Sequence, residues 1–225
     1  MTKAVLFDLD DTLISEEQYI RSGYHKIAEY LLAHYEFHAD AETLFQELFT
    51  LYQTDAKHVF NRMLDAHGIS YEKADILKLV SVYRTHMPDI TFFDDVLPTL
   101  AQLKEKGIKL GMISDGYAAT QRNKTIVLKA DLLFDKIILT DELGRDYWKP
   151  DARPFLMMAK AFHIEPSEMI YVGDNPEKDF YIGKDYPILT VRIKREHCVY
   201  HDRTYREGIK EKAAVGTLTE LLTLL

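Results

Sequence analysis

Cysteine is all but missing from this sequence. Cys198 stands alone among 225 residues, which excludes an internal disulfide framework and a zinc site built on several thiolates. Long apolar runs are missing too. No stretch approaches the roughly 18 residues that a bilayer-spanning helix needs, and the run Ala4-Val5-Leu6-Phe7 is too short for the core of a secretory signal. Positive charge is in deficit: 28 Lys and Arg stand against 36 Asp and Glu, a formal net charge of −8. That balance is a poor one for gripping a nucleic acid backbone. Internal repeats and low-complexity segments are also absent. The expectation is a cytoplasmic protein of a reducing compartment with neither nucleic acid nor membrane as partner. Monomer and homodimer are equally open.

What is present is ordinary globular composition, 47% hydrophobic and 28% charged, which argues against disorder. A chain of this length buries roughly 70% of its unfolded surface and needs no covalent staple. Five short β-type runs stand out. Residues 4–7 end at Asp8, 108–113 end at Ser114, and 169–172 end at Gly173-Asp174; 137–140 and 188–191 are similar. Helical segments are predicted at 94–106, 117–128, 152–162, 176–184 and 217–224. Near-continuous apolar strands alternating with helices predict a buried parallel sheet, the doubly wound α/β class.

Residues 15–90 break that rhythm. Ser15-Glu16-Glu17-Gln18 reads as a capping box. Four apolar stripes follow at helical spacing, through Ile20, Leu44, Val59 and Ile76, the third stopped by Gly68. The predicted organisation is an α/β core over 1–14 and 91–225 with a helical subdomain over 15–90. Lys57, His58 and Arg62 are placed on one helix of that subdomain, as a solvated face. Six of the nine histidines fall in the insert without the acid that a helical metal site would add. Residues 192–212 are locally basic but mixed in sign, with Arg192, Arg195 and Arg203 interleaved by Glu196, Asp202 and Glu207. They read as a solvated connector.

In an open parallel sheet, ligands sit beyond the carboxyl ends of the strands. Three of the five runs end in Asp8-Leu9-Asp10, Ser114-Asp115-Gly116 and Gly173-Asp174, with Lys149-Pro150 after the next strand. Asp8 and Asp10 lie one residue apart, on one face of a continuing strand. Two carboxylates held close repel, and burial raises the cost of charging both. A divalent cation offsets this, and hard oxygen ligands suit Mg²⁺. Asp174 and Asp179 add further carboxylates.

Asp8-Leu9-Asp10-Asp11-Thr12 resembles the D-x-D-x-T first motif of the haloacid dehalogenase superfamily. Ser114, Lys149 in Trp148-Lys149-Pro150, and the Gly173–Asp179 run resemble its second, third and fourth motifs. The resemblance spans almost the whole chain, and the 15–90 insert falls where many members carry a helical cap. It implies that Asp8 is a nucleophile forming an aspartyl-phosphate. It implies that Asp10 is the acid for the leaving group and then the base for water. Ser114, Lys149 and the amides of Asp115 and Gly116 are implied as phosphate ligands. Mg²⁺ is implied on Asp8, the Asp10 carbonyl and Asp174, with Asp179 assisting. One departure is Asp115, where these phosphatases commonly carry Asn; its carboxylate is expected to turn from the phosphate and leave its amide there.

The implied activity is a Mg²⁺-dependent phosphatase of a small phosphorylated metabolite, a nucleoside monophosphate or a sugar phosphate. A sugar phosphomutase uses the same residues. A non-catalytic binding protein on this scaffold is the alternative from another class, disfavoured because every residue such chemistry requires is present.

Overall fold

The apolar runs that end in polar residues assemble side by side. The structure, a computed structural model, describes residues 1–196, 198 and 203–225. Strands β1 (Ala4–Phe7), β2 (Lys109–Ser114), β3 (Lys136–Leu139), β4 (Met169–Gly173), β5 (Leu189–Ile193) and β6 (Ala213–Val215) form one sheet in the order β3-β2-β1-β4-β5-β6. Every pairing is parallel, with Ala4 opposite both Lys109 and Met169. β1 and the first four residues of β4 are wholly apolar in sequence and wholly buried, as strands covered on both faces must be. The chain runs outward from β1 to β3, then returns to β1's other side for β4. The strand order therefore reverses between β1 and β4, the place where such sheets open a crevice.

The chain divides into two units. One comprises Met1–Glu16 and Ile90–Leu225, the other Glu17–Asp89. In the first, helices α5 (Val96–Glu105), α6 (Ala118–Val127) and α7 (Arg153–Phe162) lie close to their predicted spans. This is an α/β fold with a doubly wound parallel sheet. A core cluster joins Leu6 of β1 to Phe155 and Met158 of α7 and to Tyr171 of β4.

Two predicted helices differ. Residues 176–180 form turns and bends, followed by a single 3₁₀ turn, Tyr181–Lys184. The Asn175 carbonyl accepts from both Lys178 N and Asp179 N, and Asp179 Oδ2 accepts from Asn175 N at 2.8 Å. The segment is thus fastened to its own carboxylate rather than wound further. The C-terminal segment Leu218–Leu224 is 3₁₀ rather than α. β6 is not among the expected strands; it is three residues long and only its Val215 is buried.

The Glu17–Asp89 unit is helical. α1 (Glu16–His34), whose first residue belongs to the other unit, is followed by α2 (Ala41–Thr54), α3 (Val59–Ala66) and α4 (Lys73–Thr85). Ile20, Tyr24, Ile27 and Leu31 of α1 pack with Leu44, Phe45 and Leu48 of α2, Met63 and Leu64 of α3 and Leu79 of α4. Lys57 and His58 precede α3 rather than ride on it. Arg62 is not a solvated residue either: it donates to the Leu51 and Asp55 carbonyls, closing the end of α2. His25 stacks on Phe45 at 3.6 Å between centroids, a packing role.

In the 192–212 segment, Arg195 is anchored. It forms a bidentate pair with Asp95 and donates to the Thr12 carbonyl. Asp202 of that segment lies outside the described residues. No helix among the described residues is long and apolar enough to cross a membrane.

Candidate active site

The candidate residues gather at strand ends because the strands before them are largely buried. Asp8 follows β1 and its amide still donates to the Val172 carbonyl at 2.9 Å. The chain then turns sharply: Leu13 N and Ile14 N both reach back to the Leu9 carbonyl. Asp11 takes a left-handed conformation at φ 50°, which Asp tolerates better than most residues. Its Oδ1 accepts from Glu16 N at 2.9 Å, holding the first amide of α1.

The turn sends the two neighbouring acids into different surroundings. Asp8 is buried against Lys149, Oδ1 to Nζ 2.7 Å. The Lys149 ammonium also meets Asp179 Oδ1 at 2.9 Å and the Tyr171 hydroxyl at 2.8 Å. An ammonium has three hydrogens, and here three oxygens await them. Tyr171 OH in turn donates to Asp179 Oδ1 at 3.0 Å. Asp10 instead faces α6, with Lys124 Nζ at 2.6 Å and Gln121 Nε2 at 2.7 Å.

Asp174, beyond β4, completes a cluster. One carboxylate oxygen each from Asp8, Asp174 and Asp179 lie within 4.8 Å of one another, all three residues buried. Cys198 Sγ donates to Asp174 Oδ2 at 2.9 Å. Burial pushes Asp8 up to about 6, against the opposing pull of Lys149. Burial, and then the charges of Asp179 and Asp8, hold Asp174 well above the usual carboxylate range. Asp179 is the exception: burial would raise it, but Lys149, Lys178 and donated hydrogen bonds outweigh burial and hold it low. Burial would lower Lys149, but Asp179 and Asp8 hold it well above its ordinary value. Of the three buried carboxylates, Asp8 and Asp179 share the Lys149 ammonium while, among the described residues, Asp174 meets only the Cys198 thiol, so negative charge is left to be neutralised, and their hard oxygens fit a divalent cation.

Gly173 makes this packing possible. A Cβ there would stand 2.5 Å from Asp179 Oδ2. Asp179 is wholly buried and tied to Lys149, Tyr171 and Asn175 N, so it has nowhere to go. Gly173→Ala is expected to cost about 1–3 kcal/mol, the usual range for an overpacked site. Thermal unfolding checks this; an unchanged midpoint would contradict it.

Ser114 ends β2 buried, with Gln121 Nε2 2.8 Å from its hydroxyl. The Asp115 carboxylate accepts from Thr140 Oγ1 at 2.8 Å, Lys149 N at 3.2 Å and Lys178 Nζ at 3.2 Å. The charge that sets Asp115 apart from the common Asn thus has its own cation, the half-buried Lys178. Gly116 sits at φ +134°. Ala118 N, at the start of α6, is taken by Asp141 Oδ2 at 2.9 Å, so that amide does not serve an anion. Trp148 donates to Asp141 Oδ1 at 3.1 Å and lies under the Arg145 guanidinium.

Five side chains around the site were not singled out from sequence: Gln121, Lys124, Tyr171, Lys178 and Cys198. For two of them a signal existed. α6 reads Ala-Ala-Thr-Gln-Arg-Asn-Lys-Thr-Ile-Val and buries Thr120, Gln121 and Lys124. Its inner face is polar where a helix packed on a sheet ordinarily offers an apolar stripe.

A family model described as haloacid dehalogenase-like hydrolase matches residues 5–193. The chain is 32% identical over 200 residues to a glyceraldehyde 3-phosphate phosphatase of Methanopyrus kandleri, covering 87% of this chain and 85% of that one. It is 26% identical over 223 residues to the pyrophosphatase PpaX of Bacillus mycoides, covering 98% and 95%. Among solved structures, the HAD-hydrolase YfnB of Bacillus subtilis, bound to magnesium, superposes with a TM-score of 0.69 at 15% identity, covering 100% and 98%.

Proposed function

The chain belongs to the haloacid dehalogenase-like hydrolase family, and on that premise we propose that it is a Mg²⁺-dependent phosphatase of a small sugar phosphate, working through phosphoryl-Asp8. It is a phosphoric monoester hydrolase of a phosphorylated metabolite, as the phosphatases among its relatives indicate. The observation that carries the finer reading is the buried Asp8, Asp174 and Asp179 cluster at the switch point of the sheet, two of whose carboxylates share Lys149. Relatives named for a three-carbon sugar phosphate favour that substrate class over a nucleoside monophosphate.

In this reading an Asp8 carboxylate oxygen attacks phosphorus and the bond to the leaving-group oxygen breaks. Asp10 delivers a proton to that oxygen. Water then attacks the phosphorus of phosphoryl-Asp8, Asp10 takes its proton, and inorganic phosphate leaves with the Asp8 carboxylate restored. The Ser114 hydroxyl and the amides of Asp115 and Gly116 serve the phosphoryl oxygens. Lys149 offsets the charge of Asp8 and Asp179 and pre-sets the geometry of attack. Asp8, the Asp10 carbonyl and Asp174, with Asp179 alongside, would hold Mg²⁺, which would supply charge neutralisation at the transferring group. A magnesium-bound neighbour of the same fold is consistent with that choice of cation.

A phosphate-release screen over sugar phosphates, nucleoside monophosphates and pyrophosphate tests the reading. The expected result is highest kcat/KM on a sugar phosphate, loss of activity on exhaustive chelation, and recovery with Mg²⁺. Full activity after chelation, or no phosphate released from any substrate, would contradict it.

The cation also has a signed pH signature. Asp8 rises from its ordinary 3.8 to about 6 on folding, and Asp174 moves the same way. The native state therefore binds these protons more tightly than the unfolded chain. Without a cation, the Asp8 contribution makes stability fall as pH rises from about 4 to 6, and that of Asp174 has the same sign. Protons and Mg²⁺ compete for the same oxygens, so Mg²⁺ should raise the unfolding temperature more at pH 8 than at pH 5. Equal shifts at the two pH values would count against these residues as its ligands.

A further inference from the structure

Burying a lysine on a sheet-facing helix is costly unless its charge has a partner. On α6 the partner is Asp10: Lys124 Nζ lies 2.6 Å from Asp10 Oδ1, its side chain 3% exposed. Three residues earlier on the same face, Gln121 Nε2 lies 2.7 Å from Asp10 Oδ2. Each oxygen of the carboxylate thus has its own donor, from adjacent turns of one helix.

Gln121 does more than hold Asp10. Its Nε2 is also 2.8 Å from Ser114 Oγ and 2.7 Å from the Asp115 carbonyl. A side-chain amide has two N–H hydrogens, and here three oxygens surround them. The Asp115 carbonyl and the Asp10 carboxylate can only accept. Ser114 alone has a hydrogen of its own and can pair elsewhere. The amide is pinned at this junction because Gly116 has no Cβ; one would lie 3.0 Å from Gln121 Cδ.

We propose that Lys124 and Gln121 are positioning residues for Asp10, fixing both its oxygens as the acid–base group, and that Gln121 frees the Ser114 hydroxyl for a phosphoryl oxygen while keeping its hold on Asp10. This rests on the phosphoryl-aspartate reading above. Asp10 assists both half-reactions, but a substrate whose leaving group needs little protonation draws on it only in the hydrolytic one. Loss of the two donors therefore falls on the decay of phosphoryl-Asp8 more than on its formation from such a substrate.

Rapid acid quench with labelled 4-nitrophenyl phosphate and Mg²⁺ separates the two halves. In Lys124→Met, phosphoenzyme formation should stay within about threefold of wild type. Its decay should slow on the order of 10²-fold, the scale of lost acid–base assistance, so that label accumulates. Lys124→Arg should restore much of the decay rate. In an Asp10→Asn background, Lys124→Met should add nothing to the slowed decay, since the proposed role is exercised through Asp10. Gln121→Leu carries the same comparison if Lys124→Met does not fold. Formation and decay falling by one common factor, additive losses in the Asp10→Asn background, or unchanged decay would each overturn the inference. Absence of label on wild-type Asp8 would instead refute the catalytic reading beneath it, so the two failures are distinct.

Discussion

Asp8→Asn should abolish phosphate release, a loss on the order of 10⁴-fold or more, as expected when a nucleophile is removed. An amide is no nucleophile toward phosphorus at neutral pH, and among the described residues no other carboxylate takes up its position. Asp10 is turned onto Lys124 and Gln121, and Asp179 is locked between Lys149, Tyr171 and Asn175 N. The fold should survive, because the strand hydrogen bond from residue 8 to Val172 uses only backbone atoms. The change should also lower Asp174 toward the ordinary carboxylate range, since the Asp8 charge is one of the causes that raise it. With one ligand gone, the thermal stabilisation by Mg²⁺ should shrink. Steady-state phosphate release and unfolding curves with and without Mg²⁺ check both halves. Substantial turnover by the Asp8→Asn enzyme would place the nucleophile elsewhere.

Lys149→Ala should be nearly as damaging, through stability as well as rate. The ammonium is fully buried and shared by Asp8, Asp179 and Tyr171. Its removal leaves two buried carboxylates without their cation, and breaking such a pair costs about 3–5 kcal/mol. The rate should fall on the order of 10²-fold or more, the scale expected when the attacking carboxylate is no longer held in line. Asp8 should rise further, because Lys149 is the main influence opposing its burial. The enzyme should therefore need a higher pH to reach its residual maximum. Near-normal kcat at an unchanged pH profile would place Lys149 outside the chemistry.

Much of the fold was legible because the strands are buried on both faces. Residues 4–7 and 169–172 are apolar without interruption, and such runs have few other homes. β6 was not legible: two alanines and a valine carry no strand signal, and only the sheet edge next to β5 orders them. The 176–184 stretch has helical composition, yet Asp179 bonds its own loop at Asn175, a tertiary choice that local pattern cannot reveal.

The same division holds at the site. Asp8, Ser114 and Asp174 could be placed because they end strands, and strand ends converge in a parallel sheet. Asp115 looked like a misplaced charge. Its partner Lys178 lies 63 residues away in sequence, and pairings at that distance leave no local trace. Tyr171 reads as one more apolar strand residue, although its hydroxyl joins Lys149 to Asp179. Gln121 and Lys124 left a trace, the polar inner face of α6, which has meaning only once the helix is known to pack beside Asp10.

The most direct measurement is acid-quench trapping of the phosphoenzyme from labelled substrate, followed by peptide mapping. The Met1–Arg21 region contains both Asp8 and Asp10, so the label must be assigned to one residue by fragmentation. Label on Asp8, absent from Asp8→Asn and more persistent in Asp10→Asn, is the expected result. Label on Asp10, or an Asp8→Asn enzyme that still becomes labelled, would contradict the assignment of nucleophile and acid.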